Sequence, residues 1–186
     1  MDRIILASAS PRRKQLLEWA EIPFDILPSY TEESIPDGLM VSEIPVFLAS
    51  QKAAIVRKQA AGGKIILAAD TIVVLDQQML GKPLDREDAI RMLSLLSGCV
   101  HEVITGVALT SAKKEILFSE STRVRFHPLT RRNIEHYVDH YHPYDKAGAY
   151  AIQEWIGVTG IHSIDGDFYN VMGLPVSRVL QELKSF

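Results

Sequence analysis

Ile4-Ile5-Leu6-Ala7-Ser8-Ala9-Ser10-Pro11-Arg12-Arg13 is the stretch on which the fold turns. Ile4 to Ala7 is a continuous apolar run, which predicts a short buried strand. Ser10 is a good helix N-cap. Pro11 suits the first helical position, where its missing N–H has no partner to lose. Leu16, Leu17 and Ala20 then supply an apolar stripe. A strand, a tight turn and a helix start thus follow one another at the head of the chain.

The same alternation continues outward. Ser42 opens a second helix to about Gln59, with Phe47, Leu48, Ala54 and Ile55 among its apolar positions. Two β-rich runs, 65–69 and 72–75, flank Asp70 and Thr71. Asp76-Gln77-Gln78 reads as a turn leading to Met79-Leu80-Gly81-Lys82-Pro83. Asp85 caps a third helix closed by Gly98. Strands are predicted at about 100–110 and 116–126, and Thr130 caps a fourth helix to about Tyr141. Short strands are predicted at 161–164 and 168–171, and a terminal helix at 176–184. Interleaved strands and helices predict an α/β or α+β fold with a mixed sheet.

The chain has 186 residues, which fits one domain or two small lobes sharing a core. Its apolar fraction of 47% is enough to offset the entropy of ordering, so disorder over most of the chain is excluded. No apolar run reaches the ~18 residues of a membrane span. Met1-Asp2-Arg3 before the first strand does not read as a signal peptide. A single cysteine, Cys99, excludes an internal disulfide framework, and the cytoplasm is the simplest compartment. The net charge of -3 lacks the basic excess of a duplex nucleic-acid binder.

Several positions could carry chemistry. Arg12 and Arg13 add positive charge to a helix end that is already positive. Together with Ser8 and Ser10 they suit an anion such as phosphate, or they are solvated side chains on a capped surface helix. Asp70 interrupts an apolar stretch. It sits at a strand end facing a cleft, in a turn, or buried and paired, and there it could ligate a hard metal or act as a general base. The turn is disfavoured, because neither Ala69 nor Thr71 is a turn former. Lys52 and Lys82 read individually as solvated lysines, and together with the arginines as a polyphosphate cradle. The small residues of Asp145-Lys146-Ala147-Gly148-Ala149-Tyr150-Ala151 permit close backbone approach to a ligand, and the Gln153 amide could read a base edge. His136 and His140 have zinc-ligand spacing in a polar segment without a protease pattern. Cys99 and His101 are a nucleophile pair only in outline. Neither GxxxxGK[ST] nor GxGxxG occurs.

Read together, these residues closely resemble the Maf family of nucleoside triphosphate pyrophosphatases. The resemblance lies in 6–13, Ala69-Asp70-Thr71, Gly81-Lys82-Pro83, Leu96-Ser97-Gly98, 145–150, Gln153, Asp165-Gly166-Asp167 and Val171-Met172-Gly173-Leu174-Pro175. It implies one domain over 1–186, with a twisted mixed sheet flanked by helices and two lobes around a central cleft, as in inosine triphosphate pyrophosphatases. It implies hydrolysis of a nucleoside triphosphate to the monophosphate and pyrophosphate, helped by Mg²⁺ or Mn²⁺. Thr71 and Gln153 are similar to the branch acting on dTTP and UTP; another branch prefers 7-methyl-GTP. By the same resemblance Asp70 is the catalytic carboxylate and, with Glu33, holds the metal. Arg12, Thr71 and Gln153 set specificity, and Ser8, Arg13, Lys52 and Lys82 lie near the phosphates or metal. Where the family often has Gly-Ile-Gln-Gly, this chain has Ala151-Ile152-Gln153-Glu154, which bears on base preference. A homodimer is expected, with no nucleic-acid polymer and no membrane as partner. Two alternatives are a nucleotide-binding regulator of cell division, a class suggested by the family's association with septum formation, and a house-cleaning hydrolase of inosine-type triphosphates.

Overall fold

The structure, a computed structural model, describes residues 3–30, 34–60 and 63–186. The chain begins with β1 (Ile4–Leu6), α1 (Pro11–Trp19) and β2 (Phe24–Ile26). β2 lies parallel to β1, with Leu6 level with Ile26. A 3₁₀ turn over Val41–Glu43 leads into α2 (Ile44–Gln59), and β3 (Ile66–Leu75) then lies parallel to β1 on its other side. The order β2-β1-β3 makes the space beyond the carboxyl end of β1 a topological switch point, the place where open parallel sheets bind ligands.

The remaining elements are β4 (Gln78–Leu80), α3 (Arg86–Leu96), β5 (Val100–Thr110), β6 (Glu115–Phe126), α4 (Arg131–Tyr141), α5 (Trp155–Gly160), β7 (Ile161–Asp165), α6 (Phe168–Val171) and α7 (Val176–Leu183). One mixed seven-stranded sheet runs β2-β1-β3-β5-β6-β7, with β4 antiparallel to β3. The α/β class expected from the sequence is therefore the fold observed. Among the described residues, no helix is long and apolar enough to cross a membrane.

By contact the chain divides into two compact units. The first comprises 1–71, 105–120 and 173–186. Its core places Ala49, Ala53 and Val56 of α2 against Ile5, Ala7, Ile66, Ala68 and Ala108. The spacing of two in Ile5/Ala7 and Ile66/Ala68 is the strand period, so these side chains share the sheet face that α2 covers. Gly106 lets α2 approach closely: a Cβ there would stand 2.1 Å from the Pro45 carbonyl carbon. The second unit comprises 72–104 and 121–172. Its core includes Ile90, Leu93 and Leu96 of α3 with Ile134, Tyr137 and Val138 of α4, all buried. Arg86 and Asp139 join these two helices at the surface, Nε to Oδ1 at 2.6 Å and Nη2 to Oδ2 at 2.9 Å.

Four local expectations need correction. The two β runs around Asp70 are one uninterrupted strand, because an acid with a partner does not break a ladder made by backbone groups. Ser42 lies inside the 3₁₀ turn, and Glu43 Oε2 accepts from the Met40 N–H at 3.0 Å before α2 begins. Ala54 is exposed and Ala53 faces the core instead. Residues 168–171 form a helical turn and not a strand, since the Asp167 side chain accepts from the Tyr169 N–H and caps it.

Candidate active site

The first unit builds a polar cluster at the switch point. The pairing of β1 with β3 ends at Leu6↔Leu67 and the bond from the Ala7 N–H to the Leu67 carbonyl, and β3 runs on through Asp70 to Thr71, which Arg13 of α1 reaches. Asp70 keeps the parity of Ile66 and Ala68 and points to the α2 face. Thr71 keeps the parity of Leu67 and Ala69 and points to the other. Alternation along one strand thus sends adjacent polar residues to two different sets of partners.

On the α2 face, Lys52 Nζ donates to Asp70 Oδ1 at 2.5 Å, with both side chains largely buried. Lys52 lies three residues after Ala49 and four before Val56, on the stripe that packs against the sheet. The pair stands where the apolar contact ends. A buried charge without a partner is costly, so each member accounts for the other.

On the opposite face, Arg13 is a cross-link. Its Nε donates to the Gly173 carbonyl at 2.8 Å, Nη1 to Ser8 Oγ at 3.3 Å and Nη2 to Thr71 Oγ1 at 3.1 Å. Thr71 Oγ1 also lies 2.9 Å from Thr105 Oγ1 and shares a hydrogen bond with it. The Ser8 hydroxyl additionally accepts from the Ser10 N–H at 3.1 Å, and Ser10 caps α1 by accepting from the Arg13 N–H. Thr105 and the Gly173 carbonyl were not found by reading the sequence. A threonine inside a strand and a backbone oxygen carry no local signal. Arg12, half-buried, occupies the first turn of α1 beside Arg13.

Lys82 and Gln153 belong to the second unit. Lys82 is exposed in the loop after β4, next to Gly81, whose carbonyl accepts from the Gly148 N–H at 3.0 Å. Gln153 is exposed at the tip of a turn closed by a bond from the Glu154 N–H to the Ala151 carbonyl at 3.1 Å. Glu33 lies outside the described residues. No group of three or more His, Cys, Asp or Glu side chains that could hold a metal occurs among the described residues. Asp70 has Lys52 on one oxygen. Its carboxylate fits the way Mg²⁺ is usually held, by one or two carboxylates together with substrate phosphates. The His136 and His140 rings are tilted with their centroids 4.3 Å apart, and His101 turns inward onto Tyr150, its Nε2 2.7 Å from the hydroxyl.

Residues 3–186 match the family described as Maf-like protein. The chain belongs to the Maf family. A Bacteroides fragilis Maf relative named dTTP/UTP pyrophosphatase is 47% identical over 98% of this chain and 95% of its own length. Maf proteins of the same name from Cytophaga hutchinsonii (51% identical, 97% of this chain and 83% of theirs) and Parabacteroides distasonis (46%, 99% and 96%) are similar too. Among solved structures, the Staphylococcus aureus Ham1 protein aligns over 67% of this chain and 72% of its own, at 12% identity and a TM-score of 0.42.

Proposed function

We propose that this Maf protein hydrolyses dTTP and UTP to the monophosphate and pyrophosphate. The observation that carries the reading is the Lys52–Asp70 pair at the switch point, in a chain whose curated relatives bear that activity in their names.

In this reading the triphosphate lies across the start of α1, with its α-phosphorus toward Asp70. The Asp70 carboxylate orients a water for in-line attack and takes its proton. The water oxygen bonds to the α-phosphorus as the bond to the bridging oxygen breaks, and pyrophosphate leaves with that electron pair. Lys52 holds the carboxylate in place and puts a positive charge beside the reacting phosphate. Arg12 and Lys82 stabilise the charge that develops on the leaving group. Arg13 keeps the Ser8 loop and Thr71 in register. Asp70, with Glu33 as helper, would hold a divalent cation, Mg²⁺ or Mn²⁺, which would supply charge neutralisation for the triphosphate. Thymine and uracil present two carbonyl acceptors flanking an N–H donor, and the Gln153 amide can match that edge with Thr71 and Arg12 completing the selection. The cytoplasm and a pair of identical subunits belong to the same proposal.

Pyrophosphate release from UTP and Mg²⁺, followed as phosphate after added pyrophosphatase, tests it. Wild-type protein is expected to turn over UTP and dTTP in preference to purine triphosphates, and Asp70→Asn to fall at least ~10²-fold. UTP binding without release of pyrophosphate would favour the cell-division regulator. Faster turnover of inosine triphosphate would favour the purine hydrolase. Near-normal turnover in Asp70→Asn would remove that residue from its role.

A further inference from the structure

Gln153 is exposed, yet the turn that carries it is tied down more firmly than an exposed turn requires. The Ala151 N–H donates to the Tyr137 hydroxyl at 3.1 Å. The same hydroxyl donates to Glu154 Oε2. One phenol therefore bridges the two ends of the Ala151–Glu154 turn, and Tyr137 itself is 0% exposed on α4. The other oxygen, Glu154 Oε1, lies 3.5 Å from Lys146 Nζ, a buried ammonium that Asp145 also meets at 2.7 Å. Just before the turn, Tyr150 is anchored to His101. Just after it, Gly157 lets α5 close on the turn, since a Cβ there would stand 1.8 Å from the Ile152 carbonyl oxygen.

Glu154 is a departure from the Gly-Ile-Gln-Gly pattern, and its charge is not left facing a base. Its carboxylate accepts from a buried hydroxyl and faces a buried cation. Removing the carboxylate would take an acceptor from the buried Tyr137 hydroxyl and one of the two carboxylates from the buried Lys146 ammonium, which loosens both ends of the turn. We propose that Glu154, acting through Tyr137 and Lys146, is a positioning residue that fixes the Gln153 turn, so that the choice between pyrimidine and purine nucleotides depends on a carboxylate that reads no base. The inference rests on the assignment of Gln153 to the base edge made above.

Two measurements separate its failure from failure of that assignment. The first is amide hydrogen exchange across 150–154, which involves no nucleotide. The second is the ratio of kcat/KM for UTP to that for GTP. Tyr137→Phe, which loses only the bridging hydroxyl, and Glu154→Ala are both expected to speed exchange at the Ala151 amide at least tenfold. They are expected to lower the UTP-to-GTP ratio about tenfold, chiefly through KM for UTP. Glu154→Gln keeps an acceptor for Tyr137 and is expected to restore the ratio to within about threefold of wild type. Unchanged exchange in Tyr137→Phe and Glu154→Ala overturns the clamp. Faster exchange with an unchanged ratio overturns its role in selection. A ratio as low in Glu154→Gln as in Glu154→Ala also overturns it, since the charge and not the turn would then be decisive. Absence of UTP turnover in wild type, or an unchanged ratio in Gln153→Ala, is instead a failure of the underlying assignment, and exchange still decides the clamp.

Discussion

Lys52 and Asp70 keep only 14% and 13% of their side-chain surface in water, which makes each dependent on the other. Breaking a fully buried ion pair by removing one partner costs about 3–5 kcal/mol. This pair retains some solvent, so Lys52→Met should cost about 2 kcal/mol of folding stability, below that range. Adding Asp70→Asn should recover part of the loss, because the stranded charge is then gone. Urea unfolding of both single variants and the double variant measures the coupling directly. Additive losses would mean the pair contributes nothing as a pair. Asp70 was noticed in the sequence because it interrupts apolar residues. Its partner was not legible there, because pairing depends on which way the strand alternates and on where α2 crosses it. Arg13 shows the reverse case. Its position at a helix start was legible, but its side chain reaches residues 8, 71 and 173, and no local pattern relates those positions.

Long, periodic or capped elements were read correctly as elements. Ser10, Asp85 and Thr130 each cap the helix expected of them. The failures are short. β2 and β4 have three residues each, too few for a period to register, and 168–171 has the β-rich composition of a strand but a capping aspartate in front. Contacts between elements also impose demands that composition hides. Gly106 sits within a continuous strand and looks dispensable, yet a methyl group there meets only backbone: Pro45 C at 2.1 Å, Val46 N at 2.2 Å and Pro45 O at 2.3 Å. No side chain can rotate away. Gly106→Ala should therefore separate β5 from α2 and cost at least ~3 kcal/mol, the upper end for overpacking. Gly63→Ala, with nothing within 4 Å of its Cβ, should stay within about 0.5 kcal/mol of wild type. Thermal unfolding of the two variants compares them, and equal midpoints would show that α2 can yield.

Across the whole molecule, the clearest pH dependence comes from a buried histidine. His101 is 2% exposed, stacked on Phe126 and bonded to Tyr150, and burial pushes its pKa down from 6.5 to about 4. Burial likewise pushes the Tyr150 phenol up, so this pair stays neutral. Between those two values the unfolded chain holds a proton on His101 that the folded chain does not. Stability therefore rises with pH through that window, is complete above about 6.5, and is lost as pH falls toward 4. From pH about 7.5 to about 5 this residue should account for about 2 kcal/mol of lost stability. Urea unfolding at both pH values should show that loss in wild type and not in His101→Gln; equal losses would place the acid sensitivity elsewhere.

The interleaving of the two units has a consequence for how the protein is made. A ribosome that has released everything up to Met172 has delivered the whole of the second unit. The first unit is then still missing Gly173–Phe186, and Arg13 still lacks the Gly173 carbonyl that it grips. The half of the molecule that carries Asp70 was begun first and is completed last. A nascent chain stalled in that interval has one unit complete and the other open, with Arg13 waiting for an acceptor not yet synthesised.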